Sequence, residues 1–176
     1  GHARLRPLGH RQKGPGVSER IVVLEISGLE ALHLAGIVGQ FRDLLADTRS
    51  AADPAVTRLL PDAYPDDEAA SREFRRLTGG DLLERRGQDA ATVLRTLGID
   101  GADLDPTSDP DATIAVALGE GEALAWMRTL SAVRLVLATR LGIQTEDDHQ
   151  PDDPRFGVYD WIGYRLDGLM TALDRR

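Results

Sequence analysis

Apolar residues recur along this chain with two different periods, and each period predicts a different kind of element. Residues Ile21 to Ile26 are rich in β-branched side chains and few in number, with Val22, Leu24 and Ile26 on one face and Glu25 on the other, which is typical of a short strand. Residues 113–118 alternate in the same way and predict a second strand. Elsewhere the apolar positions fall three and four residues apart, which predicts amphipathic helices. The expected fold is mainly α (α+β), a bundle of about five to six helices with a small two-stranded β-ribbon.

Polar residues at fixed offsets predict where these helices begin and end. Ser27 followed by Glu30 matches a capping box, so a helix should follow the first strand. Asp53-Pro54 predicts a short helix that Pro61 closes. One helix is expected from Asp67 to Leu77, ending at Gly79-Gly80, and the next from Asp81 to Leu97. Two more are expected over 121–141 and along the apolar positions from Val158 to Leu173.

The two strand-then-helix segments align with each other without a gap at an offset of 92 residues. Six of the 27 aligned positions from Val22 to Thr48 are identical. Two interpretations stay open: an internal β-then-α repeat, or two amphipathic helices that share Ala and Leu by composition. Under either interpretation we expect the two strands to pair with each other.

Composition and charge narrow the class of protein. A chain of 176 residues with 41% hydrophobic content can bury one core, so residues 20–176 are expected to form a single helical domain. Residues 1–19 are rich in Gly and Arg and predict a flexible basic tail, whose Gly1-His2 start is typical of a leftover from expression. The absence of cysteine agrees with a reducing compartment, and no apolar run is long enough for a membrane span, so a cytoplasmic protein is expected.

No motif in the sequence predicts catalysis, a metal site or a cofactor. The four histidines lack the spacing of a metal-binding helix, and the glycines lack the context of a phosphate-binding loop. His149 lies among acidic residues that could hold a divalent cation, although a solvated acidic loop is the favoured interpretation. We therefore expect neither an enzyme nor a cofactor, and an accessory factor or orphan enzyme stays as a further alternative.

Two groups of residues are candidates for binding macromolecules. The first is aromatic and predicts contact with a protein partner: Tyr159, Trp161 and Tyr164 on the last helix, together with Trp126. The second belongs to residues 66–97, which have the outline of a helix-turn-helix and predict DNA binding as the alternative; its candidates are Arg72, Arg75, Arg76, Arg85 and Arg86. The chain carries a net charge of −8, and −12 beyond residue 20, which disfavours contact with phosphate backbones. A homo-oligomer stays open.

Several separated motifs, in one order, resemble an actinobacterial family long described as a domain of unknown function. Its better-studied members, called AosR, are oxidative-stress transcriptional regulators. The motifs are Asp53-Pro54, Arg58 to Tyr64, Glu73 to Thr78, Asp81-Leu82, Arg134-Leu135, Thr139 to Leu141, Asp153 to Arg155, Tyr159 and Trp161. The resemblance covers about residues 20–174 and implies a regulator that responds to oxidation and acts with a sigma factor on cysteine-biosynthesis genes.

The chain departs from that family in its sulfur chemistry. Redox-active members use a pair of thiols as the sensor, whereas this sequence contains no cysteine. Met127 and Met170 contain the only readily oxidised sulfur atoms in the sequence. Both residues fall at positions expected in the helix core, where oxidation of the thioether would damage packing. The hypothesis that follows is a non-enzymatic, transcription-associated regulator that binds a protein partner, with a sigma factor as the candidate.

Overall fold

Two strands and five α-helices make up the part of the chain that the structure, a computed structural model, describes: residues 20–47, 52–61, 63–98 and 109–175. This arrangement confirms the mainly helical α+β fold with a β-ribbon. The expected tail over residues 1–19 and most of the loop before the second strand lie outside the described residues. In chain order the elements are β1 (Ile21–Ser27), α1 (Gly28–Ala46), α2 (Pro54–Arg58), α3 (Glu68–Leu97), β2 (Thr113–Gly119), α4 (Glu120–Leu141) and α5 (Gly157–Asp174).

The ribbon forms by antiparallel pairing of β1 with β2, which confirms the expected pairing. Val22 and Ile26 of β1 are buried, as are Val116 and Leu118 of β2, so the inner face of the ribbon contributes to the main core. The alternate residues of both strands point away from that core. The two-residue period of the strands therefore reflects one face packed on the main core and one face that points away from it.

The register of the ribbon is symmetric with respect to the candidate repeat. Leu24 pairs with Val116, which is also its counterpart at the offset of 92 residues. Going outward from that pair, Val22 faces Leu118, which is the counterpart of Ile26 at the same offset. Ile26 in turn faces Ile114, which is the counterpart of Val22. A local twofold axis thus passes between Leu24 and Val116, as an internal β-then-α duplication would produce.

The predicted break between two helices at Gly79-Gly80 is wrong, because α3 runs unbroken from Glu68 to Leu97. A glycine inside a helix costs only about 1 kcal/mol relative to alanine, so favourable packing can carry a helix through two of them. Gly79 is buried, and a Cβ atom there would lie 3.5 Å from Leu60 Cδ1. That distance is an ordinary van der Waals contact, so Leu60 packs on α3 at this buried position whether or not a Cβ is present. Residues 66–97 therefore do not form the two separate helices that a helix-turn-helix requires.

Substituting the second of these glycines should stabilise the protein. A Cβ at Gly80 would meet no atom within 4 Å, so Gly80→Ala should raise the free energy of unfolding by about 0.5–1 kcal/mol. Gly98, with φ of +69°, is the contrasting position, and Gly98→Ala should be destabilising there. Urea denaturation followed by circular dichroism measures both. Destabilisation by Gly80→Ala would indicate a turn at this point in α3.

The helices pack around α3 and α4. α3 lies against α1 and α4, whereas α2 and α5 both pack on α4. Trp126 is completely buried, and its Nε1–H donates to Thr96 Oγ1 at 2.7 Å, which links α4 to α3. A smaller second core of Ala138, Ile143 and Phe156 holds the segment between α4 and α5. No helix within the described ranges combines the length and the apolar run needed to cross a bilayer.

The short helix α2 is held at its first turn by an acidic residue with two roles. Asp53 caps α2 by accepting from the Ala55 amide at 2.9 Å, as the Asp-Pro pair predicts. Both carboxylate oxygens of Asp53 also accept from Arg140 of α4, at 2.9 and 2.6 Å. The Arg140 guanidinium, together with the backbone amides, holds the pKa of Asp53 below its ordinary value. One side chain therefore both caps α2 and fixes it on α4.

Candidate functional site

The four aromatic candidates for partner binding are distributed between the core and the surface. Trp126 was expected to contact a partner, and this is wrong because its side chain has no exposed surface and fills the space between α3 and α4. Two neighbouring positions on one helix cannot both face the core fully, and Trp126 takes the inner direction while Met127 is only half-buried. The core placement of Met170 is also wrong, since Met170 is 47% exposed on α5.

The remaining aromatic residues lie on different sides of α5. Tyr164 is 71% exposed and therefore accessible to a partner. Trp161 is half-buried and packs against the main core, while Tyr159 is half-buried beside the second core. The inward face of α5 is formed by Ile162, Leu166 and Leu169, as the helical period predicts. Of this group, only Tyr164 is a free surface anchor among the described residues.

The five arginines proposed for DNA binding do not share one surface. They are placed along the single helix α3, where Arg76 and Arg85, nine positions apart, point in directions that differ by roughly 180°. Arg76 is ion-paired with Glu73 at 2.7 Å. Arg86 is half-buried, where desolvation lowers its pKa, and it donates to the Leu59 carbonyl. Arg72 and Arg85 are exposed, and Arg75 is half-buried.

The largest exposed apolar side chains of the ribbon form its outer face. Ile21 and Val23 are 63% and 58% exposed. Across the ribbon they face Gly119 and Ala117, so small residues surround the two large ones. In the sequence, Ile21 and Val23 fall on the same face as Glu25, because alternate residues of the strand are assigned to the inner face. No signal in the sequence tells whether another element covers them, and among the described residues none does.

The outer edge of β2 is the second open feature of the ribbon. In an antiparallel pair, residues alternate between bonding to the partner strand and directing their N–H and C=O groups outward. The Gly28 amide donates to the Ala112 carbonyl at 3.2 Å, which fixes the alternation and turns the backbone groups of Ala115 and Ala117 outward. These groups have no hydrogen-bond partner in the described part of the chain. Sequence reasoning did not identify either residue.

The outer edge of β1 is partly covered, by contrast. Arg165 of α5 donates to the Glu25 carbonyl at 3.1 Å and forms an ion pair with the carboxylate of Glu30. Arg20, which precedes β1, donates to the Ala172 and Leu173 carbonyls at the end of α5. These contacts dock α5 beside β1. The ribbon is therefore asymmetric, because α5 contacts the edge of β1, whereas no described residue bonds to the outward groups of Ala115 and Ala117 on β2.

The titratable side chains of the described residues do not gather into a metal site. No three His, Asp or Glu side chains in these ranges converge as metal ligands. His149 contacts Asp160 through Nε2 at 2.6 Å, and its ring packs against Phe156 and Tyr159. The open ribbon is thus the best-defined candidate site for a macromolecular partner.

Comparison with known proteins yields one family. The model described as Domain of unknown function (DUF2017) matches residues 8–173. No curated protein and no solved structure matches this chain.

Proposed function

This chain belongs to the DUF2017 family, and we propose that it is a non-enzymatic, transcription-associated regulator that binds a protein partner through the open side of its β-ribbon. The open side consists of the outer edge of β2 at Ala115 and Ala117 and the adjoining outer face with Ile21 and Val23. The single observation that supports the proposal most is the apolar edge of β2, whose outward backbone groups no described residue bonds. Exposed edges of this kind normally carry charge, proline or a covering element, because they pair readily with other chains.

The chemistry of the edge favours an extended segment of the partner. A third strand along β2 would satisfy the outward N–H and C=O groups of Ala115 and Ala117. The small side chains of these alanines leave room for a strand to approach. Side chains of the added strand on the outer face would bury Val23 and extend the apolar surface. Tyr164, exposed on α5, is a second contact candidate on another part of the molecule.

Charge and resemblance together suggest the kind of partner. The chain beyond residue 20 carries a charge of −12, which would attract a basic protein and make association sensitive to salt. The resemblance to AosR regulators points to a sigma factor in an oxidative-stress or cysteine-metabolism context. Since the chain has no cysteine, the thiol switch of the redox-active members is not part of the proposal.

A binding titration against purified sigma factors of the same organism tests the proposal. We expect binding at low ionic strength that weakens as salt is added. Ala117→Pro removes one outward N–H and places a proline ring where the partner strand would lie, yet it leaves the pairing with β1 intact. This variant should bind at least about 10-fold more weakly, corresponding to the loss of one or two hydrogen bonds and the added steric conflict.

Matched variants separate the edge from general surface effects. Ala117→Thr keeps the amide and should preserve binding. Val23→Glu should weaken it, whereas Leu32→Glu, which adds the same charge at an exposed site on α1, should have little effect. Absence of any sigma-factor binding at low salt contradicts the proposal. Self-association that Ala117→Pro abolishes would instead assign the edge to a second copy of the chain, and a mobility shift on DNA lost in Arg72→Ala and Arg85→Ala would favour the DNA-binding alternative.

A further inference from the structure

A second concave region lies away from the ribbon, between α4, α5 and the segment that joins them. Its volume of about 720 Å³ falls within the range of pockets that hold small ligands. One wall is apolar and is formed by Leu135, Ala138 and Ile143. The cations that line the pocket are Arg58 and Arg134. The pocket therefore combines an apolar wall with two guanidinium groups.

The guanidinium group of Arg134 packs against two residues of α5, Tyr159 and Gly163. Its guanidinium carbon lies 4.2 Å from the centre of the Tyr159 ring, a cation–π contact. One helical turn further along, a Cβ on Gly163 would lie 3.0 Å from Arg134 Nε and 3.1 Å from its Cζ. Any larger residue at 163 would thus displace the guanidinium. A buried glycine in the middle of a helix is unfavourable by itself, and here it provides the space for the arginine.

Among the described residues, no carboxylate is paired with the charge of Arg134. Its Nε is buried without a hydrogen-bond partner, and no carboxylate within the described ranges forms an ion pair with its guanidinium. A partly buried cation without a counter-ion is costly, so such a group is normally paired. The nearby Asp160 is engaged by His149 at 2.6 Å. The site consequently holds a positioned cation that lacks an anion.

Arg58 of α2 provides a second positive charge in the lining of the pocket. Its Nη1 donates to Thr139 Oγ1 at 3.2 Å and to the Ile143 carbonyl at 3.3 Å, both neutral acceptors that orient the side chain without neutralising it. The remaining titratable groups that line the pocket are Glu146, His149, Tyr159 and Asp160. Two acidic side chains beside two arginines favour a ligand with a single negative charge over a phosphate dianion.

We propose that this pocket binds a small organic carboxylate. The carboxylate group lies against the guanidinium group of Arg134, whose planar fork matches its geometry, and Arg58 adds positive charge to the lining. The organic part of the ligand covers Leu135, Ala138 and Ile143. The inference is independent of the ribbon and does not rest on the proposed function.

Titration of the full chain with named carboxylates tests this inference. Acetate, benzoate, succinate and glutamate serve as probes, and inorganic phosphate is the comparison. Two-dimensional NMR of backbone amides and arginine Nε–H groups follows each titration. At least one carboxylate should saturate, with shifts concentrated at the pocket residues and at the Arg134 Nε–H, and it should bind more tightly than phosphate.

Variants assign the binding to the proposed groups. Arg134→Gln should weaken the carboxylate about 10- to 100-fold, as expected for the loss of charge-assisted hydrogen bonds. Arg134→Lys, which keeps the charge but not the planar fork, and Gly163→Ala, which displaces the guanidinium, should weaken it as well. Arg72→Gln removes the same charge from an exposed position on α3 and should bind like the unmodified chain. Arg58→Gln provides a second test at the pocket if Arg134→Gln does not fold.

Three results would overturn the inference. The first is the absence of saturation with all four carboxylates. The second is unchanged affinity in both Arg134→Gln and Arg58→Gln. The third is tighter binding of phosphate than of every carboxylate, which would assign the pocket to a different anion.

Discussion

Replacing Trp126 with alanine should lower the free energy of unfolding by about 3–5 kcal/mol, the range for removing a large aromatic side chain from a core. Trp126 has no exposed surface and lies in the main core. Its indole N–H also donates to Thr96 Oγ1 at 2.7 Å, so truncation removes both packing and a link between α4 and α3. Guanidinium denaturation followed by circular dichroism measures the change.

Trp126→Phe separates the two contributions. Phenylalanine retains most of the apolar volume but cannot donate to Thr96, so the expected loss is smaller, about 1–3 kcal/mol. A Trp126→Ala protein that unfolds within about 0.5 kcal/mol of the unmodified chain would mean that this residue is a surface side chain. In that case its assignment to partner binding would regain support.

Truncating Ile162 should produce the second large loss of stability, about 2–5 kcal/mol for Ile162→Ala. Ile162 is completely buried and belongs to the main core. Its side chain therefore fixes α5 to the rest of the bundle. The same denaturation experiment reports the effect.

Tyr164 is the matched control on the same helix. Its side chain is 71% exposed, so Tyr164→Ala should change the free energy of unfolding by no more than about 0.5 kcal/mol. Trp161→Ala should fall between the two, because Trp161 is half-buried against the core. A loss for Tyr164→Ala as large as that for Ile162→Ala would show that α5 presents a different face to the bundle.

Trp126 and Tyr164 show why site prediction from the sequence was only partly successful. Aromatic residues serve equally well as core side chains and as binding anchors, and a helical period cannot separate the two roles when several neighbouring positions are apolar. Trp126 and Tyr164 received the same interpretation, yet one is buried and the other is exposed. The difference depends on which neighbour covers each helix, and that is a long-range property.

The edge of β2, which no described residue covers, and the packing of Arg134 against Tyr159 and Gly163 were not predicted at all. An edge is open only if no other element pairs with it, which alternation within one strand does not reveal. Arg134 and Gly163 are 29 residues apart in the sequence, and only the packing of α5 on α4 places the guanidinium in the space that the glycine leaves. Neither feature leaves a local signature.

The sequence by itself determined the features that depend on local geometry. The alternation in both strands, the caps at Ser27, Asp53 and Gly98, and the inward stripe of α5 all follow from residues within a few positions of one another. The tertiary structure alone decided three matters: that α3 continues through Gly79-Gly80, that Trp126 is buried, and that no element of the described residues pairs with the outer edge of β2. In the first two cases the deciding free energy comes from burial against residues distant in sequence, which exceeds the roughly 1 kcal/mol of local propensity. The third depends on which elements pack beside β2, and that is also a long-range property.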